Sequence, residues 1–503
     1  MSFDPISLQV LAGGLRSICD EMGATLIRSA HSPNIKERRD CSTALFDASG
    51  ELVMQAEHIP VHLGSMPDAV GAVLGEDHEP GRAWVLNDPF AGGTHLPDIT
   101  LISPVFTDDG LLGFVANRAH HADVGGPVPA SMPAHSTRLA DEGVVIPPTR
   151  VDSIEQLEEV ARGMRNPGER RADLRAQWAA NAVGARGLAR LAERGGEAPV
   201  RAGMEEILAY AERRTRARLA ELPDGRWRAE DFLEGGPSGA EDIRLAVLAT
   251  IRGDELELDF SGSAEQVEGN LNCPIPVTRA AAYFAVRALT DPDAPASAGA
   301  HRPIRLIVPD GSILNARAPA AVAAGNVETS SRVADLVLAA LAEPAGGPAQ
   351  GQGTMNSLTL AGSSGWTYYE TLGGGQGACA GADGPSAVHV AMSNTLNTPV
   401  EALESELPLR VTELSVRRGS GGRGRYSGGD GIIREIEVLE PVTFTLITER
   451  RRIPPRGRAG GADGLVGRNL INGREVPGKD AGELEPGDRL RLETPGGGGH
   501  GPG

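Results

Sequence analysis

The sequence predicts an α+β fold: a large chain of several subdomains with antiparallel β hairpins, a central helical segment and a glycine-rich, β-rich C-terminal part. Three observations support this. Apolar, β-branched runs flank turn signals within the first 120 residues. Residues 151–222 are rich in Arg and Glu, with Leu and Ala at three- and four-residue spacing. Beyond residue 350 glycine dominates and apolar residues alternate. Because strands and helices do not alternate regularly, we expect antiparallel pairs rather than a doubly wound sheet.

The order of elements follows from local patterns. Residues 6–30 repeat apolar side chains at helical spacing, which predicts a long first helix. Residues 42–46 and 51–55 flank an Asp-Ala-Ser-Gly turn and are predicted to form a hairpin. A second hairpin is expected over 240–260, and apolar helices over 277–290 and 330–343.

Four segments are predicted along the chain. Together they form one unit from about residue 5 to 501. They are an N-terminal metal-site region (1–150), a helical segment (151–235), an α+β segment (236–345) and a glycine-rich, β-rich region (346–503).

Composition narrows the class of protein. A chain of 503 residues exceeds one typical core, and 40% hydrophobic residues is ordinary for a globular protein. A net charge of −19 with no compensating basic stretch argues against a nucleic-acid or anionic-membrane partner.

The same survey predicts a cytoplasmic protein. The four cysteines form no C-x-x-C pair, as expected of reduced thiols. No run approaches the ~18 apolar residues of a membrane span. The N-terminus has an acidic residue where a signal peptide would be basic, so it is not predicted to be a targeting segment.

The most informative stretch runs from Asn87 to Gly126. The apolar runs Ile99–Phe106 and Leu111–Arg118 flank a turn that ends in Asp-Gly, a strong hairpin signal. Cross-strand neighbours in such a pair lie roughly 5 Å apart at Cβ, so side chains before the first strand meet those after the second. Imidazoles and carboxylates gathered there would be ligands for Zn, Mn or Fe. The side chains concerned are His95, Asp98, His120, His121 and Asp123.

Pleat geometry leaves two arrangements open. If residues 120–123 stay extended, His121 and Asp123 share one face and His120 points to the other. If they curl into a turn, His120 and Asp123 come together instead. The sequence does not decide between these. Asp40 follows a charged cluster at 36–39 and is a weaker candidate, because its local context alone favours an exposed, salt-bridged loop.

Several common catalytic motifs are missing. Neither G-x-x-x-x-G-K-[ST] nor a G-x-G-x-x-G between a predicted strand and helix occurs, so the chain is not expected to bind ATP by a recognised route. No G-x-S-x-G elbow is present, which argues against a serine hydrolase. The glycine runs 373–377 and 496–499 are predicted to allow close backbone packing or subunit contact.

Ordered motifs over nearly the whole chain resemble the hydantoinase B/oxoprolinase family. This family includes the B-type subunits of ATP-dependent hydantoinases, the C-terminal half of 5-oxoprolinases, and relatives in acetone and acetophenone carboxylases. The motifs that carry the resemblance are NIKERRDCS at 34–42, EHIPVHLGSM at 57–66, NDPFAGGTHLPDI at 87–99, ANRAHHADVGG at 116–126, AGNVETSSRV at 324–333, YYETLGGGQGA at 368–378 and TPGGGGHG at 494–501.

The resemblance implies a division of labour. An A-type partner subunit would bind ATP and Mg and phosphorylate the substrate oxygen, while this chain would open the ring at a divalent metal site (Zn, Mn or Fe). The family's metal positions fall on Asp40, His95, Asp98 and His120, and His121 or Asp123 would serve as general base. The expected substrate is a hydantoin-, lactam- or 5-oxoproline-like ring. The alternatives are a subunit of an ATP-dependent ketone carboxylase and a supporting subunit without catalysis.

Overall fold

A computed structural model describes residues 4–57, 59–62, 64–235 and 242–503 of the chain. The predicted loop residue His58 and the first two residues of the predicted 240–260 hairpin lie outside this part. The helices are α1 (Pro5–Ser29), α2 (Pro33–Lys36), α3 (Met66–Gly71), α4 (Ile154–Glu159), α5 (Pro167–Gly195), α6 (Glu197–Ala220), α7 (Ile275–Thr290), α8 (Ser330–Ala345) and α9 (Val400–Glu406).

The strands of the described residues form four sheets. They are β1 (Cys41–Asp47), β2 (Leu52–Glu57), β3 (Ala83–Leu86), β4 (Asp98–Thr107), β5 (Gly110–His120), β6 (Thr149–Val151), β7 (Gly225–Leu233), β8 (Ile243–Arg252), β9 (Glu255–Asp259), β10 (Ile304–Ile307), β11 (Ser357–Gly362), β12 (Thr367–Glu370), β13 (Leu409–Arg417), β14 (Gly431–Val438), β15 (Val442–Ile447), β16 (Arg468–Ile471), β17 (Arg474–Val476), β18 (Lys479–Leu484) and β19 (Arg489–Glu493). The mixture of helices and mainly antiparallel sheets confirms the predicted α+β class.

The N-terminal sheet has the order β2-β1-β5-β4-β3-β6 and is antiparallel where its pairings are described. The predicted first helix and both predicted hairpins of this region are confirmed as α1, β1–β2 and β4–β5. Asp4 caps α1 by accepting hydrogen bonds from the amides of Ile6 and Ser7. The helix then buries its apolar stripe, including Leu15 and Met22, against the sheet.

The predicted helical segment packs directly on this sheet. α5 lies beside α1 and contacts β4 and β5, and Gly184 of α5 allows the close approach of Met22. A Cβ at Gly184 would lie 2.3 Å from the Met22 sulfur, so a side chain there would displace the Met22 side chain. Side chains from α1, the sheet, α5 and α6 share one core. The predicted boundary at residue 150 therefore stays a prediction, because residues on both sides of it contribute to the same core.

Among the described strands, the middle segment contains the one parallel pair. β8 pairs with β7 and β9 in antiparallel fashion, but β10 runs parallel to β9. This differs from the expected antiparallel pairing, because residues 260–303 between β9 and β10 include α7 and are long enough for a crossover connection. The predicted helices at 277–290 and 330–343 are confirmed as α7 and α8, which pack on each other.

The C-terminal part contains two sheets with a shared core, in the orders β12-β11-β15-β18 and β13-β14-β19-β16-β17. Glycine-rich segments lie backbone to backbone beside them. A Cβ at Gly497 would be 2.1 Å from the carbonyl oxygen of Gln376, and one at Gly428 would be 2.0 Å from that of Gly497. Close backbone packing, one of the two predicted roles for these glycines, is confirmed. The terminal glycines 496–499 are buried in this packing.

No helix of the described residues has the length and apolar character needed to cross a membrane. All four cysteines are free, and Cys19, Cys41 and Cys273 are buried.

Candidate metal centre

The β4–β5 hairpin brings the predicted ligands to one end of the N-terminal sheet. Asp98, the first residue of β4, is the direct cross-strand partner of His120, the last residue of β5. His95 lies one turn earlier, because the amide of Asp98 donates to the His95 carbonyl at 3.0 Å. The amide of His120 donates to the carbonyl of Asp40 at 3.0 Å, which places the start of β1 beside the same end.

Three side-chain atoms converge at this position. His95 Nε2 lies 3.1 Å from Asp98 Oδ1, and His120 Nδ1 lies 3.0 Å from the same oxygen. The two imidazole nitrogens are 3.1 Å apart. All three side chains are buried, and their potential ligand atoms lie within 4.8 Å of one another. The group is therefore a compact triangle of lone-pair donors.

The other oxygen of Asp98 is held from two sides. Thr94 Oγ1 donates to Asp98 Oδ2 at 2.6 Å, and His62 Nε2 lies 3.5 Å from it. Burial acts to raise the pKa of Asp98. The attraction of His95 and the hydrogen bonds from its histidine neighbours outweigh that effect, so the pKa falls well below its usual value. The carboxylate is thus held in its anionic form.

His95 shows the complementary effect. Burial acts to lower its pKa, but the charge of Asp98 and a hydrogen bond to it raise the pKa above the ordinary histidine value. Without a metal, the anionic carboxylate therefore attracts a proton to this position. The arrangement of these buried side chains favours one positive charge beside Asp98.

The donor set fits a divalent transition-metal ion. Two ligand atoms that lie about 2.1 Å from one ion at right angles are about 3.0 Å apart, which matches the observed triangle. Only one hydrogen can lie between His95 Nε2 and His120 Nδ1, so at least one of these nitrogens presents a lone pair. Two histidines and one carboxylate with remaining positions open are a common set for iron, and three protein ligands are typical of catalytic zinc.

Asp40 lies at the edge of this group. It is buried and lines the same small cavity, although it does not belong to the compact triangle. The cavity has a volume of about 20 Å³, roughly the room for one water-sized particle. Its other lining residues are Ile59, Val61, His62, His95, Asp98, His120, Asn326, Val327, Met355, Tyr369, Thr371, Ser393 and Thr395.

The structure does not bring His121 to this cavity. The chain stays extended through His120, so His121 points to the opposite side and its Nε2 lies 2.9 Å from Oε1 of Gln177 on α5. Burial lowers the pKa of His121 to about 4, so the ring is neutral at pH 7.

Asp123 is also engaged elsewhere. Its carboxylate accepts hydrogen bonds from the amides of Gly125 and Ala130, and it forms an ion pair with Arg165 at 2.6 Å. These contacts hold the loop after β5. The general-base role of His121 and Asp123 stays a prediction, and their contacts favour a positioning role.

Two further side chains at the site were not among the predicted site residues. His62 lies in the EHIPVHLGSM motif, and its Nδ1 is 2.9 Å from Ser42 Oγ while its other nitrogen faces Asp98. The Tyr369 ring stacks on His120 with centroids 4.9 Å apart. The motif containing His62 was a usable signal, whereas no local pattern connects Tyr369 with a histidine almost 250 residues earlier.

Comparison with known proteins gives concordant results. A family model described as Hydantoinase B/oxoprolinase matches residues 4–503. The chain is 38% identical to a 5-oxoprolinase of Dictyostelium discoideum over 99% of its own length, but spans only 40% of that protein. It is 30% identical to a putative B-type subunit of a D-/L-hydantoinase from Pseudomonas sp., covering 99% of this chain and 90% of that one.

A solved structure extends the likeness to three dimensions. The crystal structure of ATP-dependent caprolactamase from Pseudomonas jessenii superposes with a TM-score of 0.93 at 28% identity, over 100% of this chain and 92% of the other.

Proposed function

This chain belongs to the hydantoinase B/oxoprolinase family, and from that premise we propose that it is the B-type subunit of an ATP-dependent cyclic-amide hydrolase. Its substrate is a hydantoin-, lactam- or 5-oxoproline-like ring, which it opens at a metal site after an A-type partner subunit has phosphorylated the amide oxygen. The observation that carries the proposal is the convergence of His95, Asp98 and His120 on one point in a buried cavity.

Within this proposal, His95, Asp98 and His120 hold a divalent ion (Zn, Mn or Fe), and Asp40 completes the set from the edge of the cavity. Such an ion supplies a Lewis acid and a water of lowered pKa. Thr94 and His62 orient the carboxylate of Asp98, because both contact its second oxygen. The stacked Tyr369 ring fixes the plane of His120.

The partner follows from what this chain lacks. Its sequence carries no recognised phosphate-binding motif, so ATP and Mg belong to the A-type subunit in the proposed complex. Relatives described as the B-type subunit of a hydantoinase and as an ATP-dependent caprolactamase support this assignment. Phosphorylation of the amide oxygen makes the amide carbon more electrophilic toward water. The C–N bond then breaks with the protonated nitrogen as leaving group, and hydrolysis releases the phosphoryl group as inorganic phosphate, which accounts for the use of ATP.

The test is turnover by the complex. The chain, purified with its A-type partner, is supplied with ATP and separately with hydantoin, 5-oxoproline and caprolactam, and ring-opened product is quantified by chromatography. We expect turnover of at least one ring, lost on chelation and restored by Zn, Mn or Fe. His95→Ala should abolish it, while His135→Ala, which alters an exposed histidine, should not.

Two other results would contradict the proposal. Bicarbonate-dependent carboxylation of a ketone, with no ring opening, would identify a carboxylase subunit. Full turnover by the His95→Ala complex would show that the cavity is not the reaction centre and that this chain only supports its partner.

A further inference from the structure

A buried arginine stands behind the cavity wall formed by Tyr369, Thr371 and Thr395. Arg38 is 0% exposed, and its guanidinium donates to the Tyr369 carbonyl at 2.7 Å. It also donates to Thr371 Oγ1 at 2.7 Å and to Thr395 Oγ1 at 3.2 Å. Its carbon Cζ lies 5.1 Å from the centroid of the Tyr369 ring. One cation therefore organises this side of the cavity.

The charge of Arg38 is not matched by a carboxylate. In the described part of the chain it forms no ion pair, and its Nε is buried without a hydrogen-bond partner. Of the five other fully buried arginines, four have an acidic partner: Arg170, Arg332, Arg434 and Arg450. The fifth, Arg118, donates to Thr100, Ser65 and the Gly92 carbonyl and, in the part of the chain that the structure describes, likewise forms no ion pair. A buried cation is costly unless a negative charge compensates it, so an anion is expected close to Arg38.

Two threonine hydroxyls connect the Arg38 guanidinium with the cavity. Thr371 Oγ1 and Thr395 Oγ1 are 2.7 Å apart and both accept hydrogen bonds from Arg38. One hydroxyl donates to the other, so one hydrogen of the pair remains for a third partner, either His389 Nε2, which lies 3.5 Å from Thr395 Oγ1, or an oxygen in the cavity. Ser393, whose Oγ lies 2.6 Å from His389 Nδ1, lines the cavity beside them.

The cavity thus has two walls of opposite character. One wall presents Asp98 and Asp40 with the histidines, which suits a cation. The other presents hydroxyls backed by a guanidinium, which suits negatively charged oxygen. Both sets of residues line this one small cavity, so an oxygen atom bound at the hydroxyls would lie close to the candidate metal ligands. The rest of the group to which it belongs must lie toward the cavity opening.

We propose that the Arg38–Thr371–Thr395 wall is an anion subsite that binds an oxygen of a phosphoryl or carboxylate group of the substrate opposite the metal triad. This assignment rests on the proposed function, in which the substrate acquires a phosphoryl group. It names Arg38 as a positioning residue, because its contacts reach the cavity through the two hydroxyls and the Tyr369 carbonyl.

The test measures anion binding by the metal-loaded full chain. Inorganic phosphate and, separately, formate are titrated into it by isothermal calorimetry after free metal has been removed. Arg38→Gln should weaken binding roughly tenfold or more, since a charge-assisted contact is lost. Its metal content should stay unchanged. Arg39→Gln is the matched control, because it removes the same charge from an exposed neighbour and should bind like the original chain.

A second pair of variants guards against misfolding of Arg38→Gln. Thr395→Val removes one hydroxyl with little change of shape and should weaken binding severalfold, whereas Thr395→Ser should restore it. Tighter phosphate than formate binding would identify a phosphoryl subsite, and the reverse order a carboxylate subsite.

The proposal is overturned if the original chain binds neither anion, or if Arg38→Gln and Thr395→Val bind both anions as the original does. These results are separable from the proposed function. Ring opening with unaltered anion binding in both variants would refute only the subsite. Arg38-dependent anion binding without any ring opening would refute only the hydrolase.

Discussion

The carboxylate of Asp98 lies 3.0 Å from Nδ1 of His120, and the two residues are direct cross-strand partners at the open end of one hairpin. The register of β4 and β5 alone therefore brings two candidate ligands together. His95 joins them through the tight turn that precedes β4. Since strand register is a property of the folded backbone, we expect the site to exist before any metal arrives.

The first prediction concerns metal content. Asp98→Asn keeps the shape of the side chain but removes the negative charge that both His95 and His120 face, so the purified variant should lose nearly all bound metal. Elemental analysis of the original chain should give about one Zn, Mn or Fe per chain. Asp123→Asn, which changes a carboxylate held by loop amides, should retain it. Equal metal in the original chain and Asp98→Asn would refute the site.

The second prediction separates positioning from catalysis at His121. His121→Ala leaves Oε1 of Gln177 without its partner in a buried interface, which should cost about 1–3 kcal/mol of unfolding free energy. Because the ring faces away from the cavity, kcat of the complex should change by less than about tenfold. General acid–base groups typically contribute 10²–10⁴-fold. A loss of that size, with metal content and fold intact, would instead support the predicted general-base role.

The hairpin that carries the candidate metal ligands could be predicted because its signals are local. The two apolar runs and the Asp-Gly turn define the pairing, and the pairing places Asp98 opposite His120. The direction of His121 was left open by the sequence, since it depends on whether the strand stays extended through His120 and on the presence of Gln177 on α5.

The far wall of the cavity could not be predicted in the same way. Arg38 meets Tyr369, Thr371 and Thr395 across more than 300 residues of chain. No periodicity or spacing encodes such a contact. The parallel pairing of β10 with β9 was missed for a related reason, because the intervening crossover hides which strands become neighbours.

The third prediction uses the two lysines of the chain as a matched pair. Lys479 is buried, and its Nζ lies 2.5 Å from Glu449, whose other oxygen lies 3.1 Å from Arg332. Lys479→Met removes one of the two positive charges that face the buried Glu449 carboxylate. The variant should therefore have an unfolding free energy lower by about 3–5 kcal/mol. Lys36→Met changes an exposed lysine and should stay within about 0.5 kcal/mol. Denaturant unfolding of both variants measures the difference, and equal midpoints would contradict a structural role for the buried pair.

The last prediction follows from Glu328, which is buried just after the cavity residues Asn326 and Val327. Burial, and then the nearby charge of Glu449, raise the pKa of Glu328 to about 8, while its Oε2 has no hydrogen-bond partner. An unfolded glutamate releases its proton near pH 4.5. Between these two values the folded chain holds a proton that the unfolded chain has lost, so this group's contribution to stability falls as the pH rises.

Glu328→Gln resembles the protonated glutamate in shape but cannot ionise, so it removes the decrease in stability that Glu328 causes as the pH rises. Its melting temperature relative to the original chain should therefore rise between pH 6 and pH 8, by roughly 2 °C or more. Glu205→Gln, at an exposed position of α6, should show no such trend. Thermal unfolding at pH 6, 7 and 8 provides the comparison. A constant difference between Glu328→Gln and the original chain at all three values would mean that Glu328 is already ionised in the fold, with a positive neighbour compensating its charge.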